Sequence, residues 1–485
     1  PQPRRMPRHS VREYGAAGDG ETLDTAAIQD AVDAAAAEGG GTVVLPAGTY
    51  RSKPVFLASD VEFHLEAGAT LLGDDAITEY PVVDGRWNGI EGPVYASLLT
   101  AHDRENVAIT GRGTIDASGR PWWDAVAADH ELFGELGFGR EDCFPAPPEA
   151  NLTYPRPNAV HLQGCTDVLL RDVTVRNSPF WAIHPVYCEN VTVDGVTVRN
   201  PADSPNTDGI NPDSCTNVHV SNCHVDVGDD CVTIKSGYDA DGRRVGEPCE
   251  NVTVTNCTMY HGHGGVVVGS EMSGDVRNVT ISNCVFDGTD NGLRLKTERG
   301  RGGVIENVRA TNLVMRDIPN IALLTNMFYH GADPEPRPVT EETPRIRGIH
   351  YSDITVDGAD TLAAMRGLPE MPLAEVSITD VRARNVRRGV DASRLDDVAL
   401  RNVVVDAGDT PAVRLERADD VELARVADPG PDPDVPVVSL EDVDAVLRDC
   451  TAAEGTGTFC AHELSRVRTN GNELGDAERG VVDLD

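Results

Sequence analysis

Six stretches of the chain spell one phrase: CTDVLLRDVTV from Cys165, CENVTVDGVTV from Cys188, CTNVHVSNCHV from Cys215, CENVTVTNCTM from Cys249, VRNVTISNCVF from Val276 and IENVRATNLVM from Ile305. Their shared valines, Val168, Val191, Val218, Val252, Val279 and Val308, stand 23, 27, 34, 27 and 29 residues apart. A unit this short cannot close a core alone, so units must stack into a solenoid. Within each unit, short β-branched runs alternate apolar with polar and end at Gly, Asn or Asp, with almost no helical period. The expected fold is all-β, a single-domain right-handed parallel β-helix over residues 1–485. Its densest coils lie in 158–330. Looser copies, ITDVRARNV, LDDVALRNV and ADDVELARV, carry the stack through 331–485.

A solenoid also needs its open end covered. Residues 11–50 contain GDGETLDTAAIQDAVDAAAAEGGGTVVLPAGTY, in which Asp24 is expected to cap an Ala-rich helix, Gly39 to Gly41 to stop it, and PAGTY to turn into the first strand. Cys165, Cys188, Cys215 and Cys249 share one phase of the repeat, and Cys223, Cys257 and Cys284 another. The expectation is small apolar side chains stacked in the core, not disulfides. The NVT triplets at Asn190, Asn251 and Asn278 read as repeat turns rather than glycan acceptors.

Four later strands align without gaps: GINPDS from Gly209, CVTIKS from Cys231, GVVVGS from Gly265 and GLRLKT from Gly292. On successive coils, equivalent residues stand about 4.8 Å apart. Ile210, Val232, Val266 and Leu293 then face inward, as do Pro212, Ile234, Val268 and Leu295. Alternation turns Asn211, Thr233, Val267 and Arg294 outward in one row, and Asp213, Lys235, Gly269 and Lys296 in the next. Asp208 stacks on Asp230, and Asp229 on His263. Strict alternation would send Asp229 and Asp230 to opposite faces, so the strand must bend or be left at that point, and Gly228, Gly209, Gly264 and Gly265 leave room for a bend. Such a set of carboxylates, imidazole and cations suits glycoside hydrolysis, in which one carboxyl group protonates the leaving oxygen while another activates water. Stacked aspartates also raise the pKa of one of them.

Composition narrows the ligand. The chain carries 79 acidic against 42 basic residues, a formal charge of -37, and only Lys53, Lys235 and Lys296 are lysines. An acid-rich, Lys-poor surface suits very high salt, where charges are screened within about 3 Å, and points to a halophile. It excludes nucleic acid as a partner. A chain this acidic that keeps two of its lysines in one wall implies an anion to hold there. No apolar run approaches the roughly 18 residues of a membrane span, so no membrane partner is expected. Compartment stays open between export and a reducing interior, towards which the cysteines lean.

The motifs Asn206 to Gly209 (NTDG), Gly228 to Asp230 (GDD) running to Lys235, Gly262 to Gly264 (GHG) and Arg294-Leu295-Lys296 occur in this order. In them the chain resembles glycoside hydrolase family 28, the polygalacturonase family, over Val11 to about Tyr329. The resemblance implies inverting, cofactor-free and metal-free hydrolysis of α-1,4-galacturonosyl linkages in an acidic polysaccharide. It implies Asp229 as general acid, Asp208 with Asp230 as holders of the attacking water, and His263 as partner of the acid. Arg294, Lys296, Lys235, Asn206 and Tyr329 become substrate-binding residues. VVVGSEMSGDVRNV resembles the exo-acting bacterial members, and the insertion 117–157 is expected to close one end of the groove. Trp122, Trp123 and Trp181 are candidate sugar-stacking residues. Two rival readings are a calcium-dependent pectate lyase and a non-catalytic glycan-binding β-helix.

Overall fold

The structure, a computed structural model, describes residues 7–125, 154–331 and 333–484. The chain divides into two compact units, Pro1–Gly237 with Glu247–Thr253, and Tyr238–Gly246 with Val254–Asp485.

In the first unit each coil lays down three strands, and each strand pairs in parallel with its counterpart one coil on. One row runs through Val61–Leu65, Glu105–Gly111, Thr166–Arg171, Glu189–Asp194 and Thr216–Ser221, and places Val107, Val168, Val191 and Val218 in register. The valine spacing read from the sequence is thus one coil per step. A second row runs from Ala69–Gly73 through Thr114–Asp116, Thr174–Arg176 and Thr197–Arg199 to His224–Val227. The third row runs through Val55–Phe56, Leu99–His102, Val160–Gln163 and Ile183–Val186, then continues as the bridges Ile183 to Ile210 to Val232 and Val186 to Asp213 to Lys235.

Two features of the repeat produce this stack. The inward valines are fully buried, and each contributes roughly 1.5–3 kcal/mol by leaving water. Between them, Asp167, Asn190, Asn217 and Asn251 adopt φ of 56, 58, 60 and 57°, the left-handed turn that short amide side chains tolerate. Their side chains form a ladder: Asn190 Nδ2 donates to Asp167 Oδ1 at 3.0 Å, Asn217 to Asn190 at 3.1 Å and Asn251 to Asn217 at 3.2 Å. Cys165, Cys188 and Cys215 are buried thiols that point at backbone carbonyls, as their shared phase implied.

The cap helix spans Thr25–Ala37 and buries Ile28, Ala31, Val32 and Ala35. Asp24 corrects the sequence reading. Its carboxylate accepts the backbone N–H groups of Ala17 and Gly18 at 2.7 and 2.9 Å and makes no bond to its own helix, so it fastens the preceding turn.

The second unit repeats the scheme with other dressing. Val276–Asp287, Val304–Asn326, Arg345–Arg366, Leu373–Val405, Val413–Ala424 and Val438–Arg448 pair in parallel in that order. Val398 of LDDVALRNV faces Val421 of ADDVELARV, so the looser copies do stack. Here coil-to-coil ion pairs take over from much of the amide ladder: Arg347 to Glu306 at 2.6 Å, Arg384 to Asp357 at 2.7 Å and Arg468 to Asp444 at 2.8 Å.

Candidate active site

In the first unit the strand Asp230–Ile234 begins at Asp230, and Gly228 and Asp229 form a bend before it. That bend resolves the conflict over the paired aspartates, because Asp229 is not part of the alternating strand. Its carboxylate accepts the N–H of Asp230 at 3.0 Å, and it stays half-buried while Asp230 is buried. Glycine is required at 228 for close approach: a Cβ there would stand 2.5 Å from the Ser204 carbonyl oxygen and 2.7 Å from that of Pro201. The loop so closely met carries the NTDG motif. Asn206 takes a left-handed φ of 53°, and its Oδ1 accepts from Arg156 Nη2 at 2.8 Å. Arg156 also donates to the carbonyls of Pro179 and Pro205, at 2.7 and 2.8 Å, which fixes the approach to Asp208.

Asp208 is buried and clamped. Its Oδ2 accepts from Asn211 Nδ2 at 2.8 Å and from Thr233 Oγ1 at 3.2 Å, and Lys235 Nζ lies 3.8 Å away. Lys235 in turn lies 4.4 Å from the centre of the Trp181 ring. The sequence places Asn211, Thr233, Asp213 and Lys235 on an outward, open wall; the structure buries all four, the first three completely. Part of the cover, over Asp213, is the antiparallel hairpin Val82–Trp87 and Ile90–Tyr95, which sequence reasoning missed. Its Arg86 reaches Asp213 Oδ1 at 3.0 Å and Ser214 Oγ at 2.8 Å, and covers the Tyr187 ring at 5.0 Å.

The electrostatics of this buried patch follow from pairing. Burial alone would raise the Asp213 carboxyl, but Arg86, His184 and Lys235 together hold it below its usual value. His184, whose Nε2 lies 3.4 Å from Asp213 Oδ2, is held below the usual imidazole range, first by burial. His161 stacks on His184 at 5.2 Å and is pushed down to about 3 by burial and by the neighbouring His184 and His102. No local motif flags these histidines; only their register in the third row does.

In the second unit, His263 is exposed just before the strand Gly264–Val268, and its carbonyl oxygen accepts from Asn291 Nδ2 at 2.8 Å. Val266, Val267 and Val268 pair with Leu293, Arg294 and Leu295, the register expected from the aligned strands. Arg294 and Lys296 converge on one ring: the guanidinium carbon lies 5.4 Å and the ammonium 4.9 Å from the centre of Tyr329. Two cations thus share one aromatic ring, a corner of concentrated positive charge.

The tryptophans fare differently. Trp122 is fully buried against Tyr80 and Tyr95, and Trp181 is buried beneath Lys235, so both are packing residues. Trp123 ties its Nε1 to the Ser178 carbonyl at 3.0 Å. Most of the insertion expected to close the groove lies outside the described residues.

The family model described as Glycosyl hydrolases family 28 matches residues 146–399, which hold every residue of both clusters except the hairpin. A second, described as Rhamnogalacturonase A/epimerase, pectate lyase-like, matches residues 9–91. A probable polygalacturonase of Vitis vinifera is 33% identical over 382 residues, 77% of this chain and 73% of that protein. An exo-poly-alpha-D-galacturonosidase of Dickeya chrysanthemi is 30% identical over 348 residues, 66% of this chain and 57% of that protein. Among solved structures, a hyperthermoactive exopolygalacturonase from Thermotoga maritima superposes with a TM-score of 0.73 at 31% identity, covering 84% of this chain and 94% of its own. The fold is that of the right-handed parallel β-helix enzymes. The chain belongs to glycosyl hydrolases family 28 and is a glycoside hydrolase.

Proposed function

We propose that this hydrolase works on polygalacturonate from a chain end, releasing galacturonate with inversion at the anomeric carbon. The observation that carries the reading is the clamp on Asp208. A carboxylate with one oxygen engaged by Asn211 and Thr233 and faced by Lys235 is fixed in orientation beside a positive charge, which suits it to hold and activate a water. Asp230, in register with Asp208, shares the attacking water. Asp229, set apart by the bend, is the general acid; inverting enzymes separate the two functions by roughly 6.5–9.5 Å to admit that water. His263 keeps the role of partner to the acid on the family resemblance alone. Arg294 and Lys296, seated on Tyr329, receive the sugar carboxylate. Lys235 acts on Asp208 instead of reaching the substrate, and Asn206 sets the loop that presents Asp208.

An anionic substrate explains why a chain of formal charge -37 gathers cations in one corner. Action at a chain end is supported by the names of the Dickeya and Thermotoga relatives. The test is incubation with polygalacturonate in molar salt, with chromatography of products and NMR of the first-formed anomer. Saturated monomer present from the earliest times, with inverted configuration, is expected. Unsaturated uronates, or a rapid viscosity fall without monomer, would overturn the reading. Asp229→Asn should lower kcat by about 10³-fold or more while leaving polygalacturonate binding in place.

A further inference from the structure

We propose a second carboxylate-binding site in the C-terminal coils, formed by Arg366, Arg394 and Arg417, which holds a uronate of the same polymer further along from the one at Lys296. The inference rests on the substrate reading above.

The site lies in one row of the second unit. Lys296 pairs with Asn326, Asn326 with Arg366, Arg366 with Ser393, and Ser393 with Glu416. Arg394 and Arg417 directly follow the last two. A cavity of about 410 Å³ opens along this row, lined by Asn326, Phe328 and the three arginines among others. Phe328 is the neighbour of Tyr329, so the cavity begins where the Arg294 and Lys296 corner ends. Arg366 stands two strand spacings beyond Lys296, roughly 10 Å, and Arg394 three, roughly 14 Å. A polymer held at Lys296 passes over Asn326 and delivers a later carboxylate to the arginines.

The local charges fit an anion. Arg394 and Arg417 stand one coil apart, so their guanidinium groups repel. Burial first, then Arg417, lowers the tendency of Arg394 to hold its proton. Two of the three arginines already meet a carboxylate: Asp391 pairs with Arg366 at 2.7 Å, and Glu416, which lines the cavity and pairs with Arg414 at 2.5 Å, reaches Arg417 at 3.9 Å; Glu370 is taken by Arg299 at 2.7 Å, which leaves Arg394 as the cation open to an incoming anion. Among the described residues, Arg394 has no carboxylate at ion-pair distance. Arg394 and Arg417 have φ of 58 and 51°, the left-handed region that asparagine fills elsewhere in the ladder.

The experiment compares digalacturonate, too short to reach Arg394 from Lys296, with hexagalacturonate, for the parent and the double variant Arg394→Asn, Arg417→Asn. The variant should raise KM for the hexamer by about tenfold, leave KM for the dimer and both kcat values unchanged, and melt no lower than the parent, since Asn favours the left-handed turn. An equal rise for dimer and hexamer, or no rise for either, overturns the site while leaving the polygalacturonase reading intact. Should the parent hydrolyse neither, direct binding of hexagalacturonate decides. A tenfold loss in the variant keeps the site and sinks only the catalytic reading; no loss sinks both.

Discussion

The two units handle charge in different ways. The first buries it in complementary sets: Arg86, Asp213, His184, Lys235 and Asp208 are each at most 3% exposed, and every one has an opposite or polar partner within 4 Å. The second also buries Arg301 against Asp239 and Glu298, but along its cation row it leaves Arg294 and Arg394 half-exposed and Arg417 exposed, and lays Arg294 and the buried Lys296 over a shared aromatic ring. Buried pairs cost about several kcal/mol in desolvation and repay it only with good geometry, so they are suited to holding one carboxylate in one place. Half-exposed cations on a ring keep their attraction for a partner that arrives from solution. On the proposed reading, the contrast divides the groups that would set the chemistry from those that would hold the substrate.

Breaking a buried set should therefore hurt the fold most. Arg86→Met leaves Asp213 uncompensated in a dry site, and an unfolding free energy lower by about 3–5 kcal/mol is expected from urea denaturation. The double variant Arg86→Met, Asp213→Leu should recover much of that loss, because no lone charge remains. A single variant as stable as the parent would show that the hairpin covers the third row without holding it.

Lys296→Gln is the counterpart in the second unit. KM for oligogalacturonate should rise about 10- to 30-fold with kcat little changed, the signature of lost ground-state and transition-state binding together. A fall in kcat at constant KM would instead place Lys296 at the reacting bond and erase the division between the units.

How much of this was legible in the sequence depends on whether the determinant repeats. The register of Val168, Val191 and Val218, the thiol stack from Cys165 and the shared face of Arg294 and Lys296 were readable, because a repeat converts sequence position into location, whereas Tyr329 was named only through the family resemblance. What failed was non-repeating. The segment 82–95 breaks the pattern, and alternation alone could not tell that its hairpin would send Arg86 onto Asp213, in a row expected to face solvent. Asp24 misled for a related reason. A helix-start pattern specifies a residue type but not which N–H groups the carboxylate will meet, and the nearest were those of Ala17 and Gly18.

The smallest effect sharpens the comparison through pH. His161, in the buried row of the first unit, is pushed to about 3 when folded, by burial and then by His184 and His102, whereas an imidazole in the unfolded chain protonates near about 6.5. Between those values the unfolded chain binds a proton that the folded chain refuses. Stability is thus complete above about 6.5 and falls as pH drops towards 3. His184 acts in the same direction, lowered first by burial. Asp213, also lowered despite its burial, acts in a more acid window: its contribution is present above the ordinary carboxylate range and is lost as pH falls through its folded value. Denaturation midpoints at pH 7.5, 6 and 5 should decline more steeply for the parent than for His161→Gln, while Arg394→Asn in the second unit keeps the parent's slope. Equal slopes for the parent and His161→Gln would mean that water reaches the histidine row. The hairpin would then shield the buried charges less completely than their pairing requires, and the separation of a dry, chemistry-setting unit from a wet, substrate-holding one would have to be withdrawn.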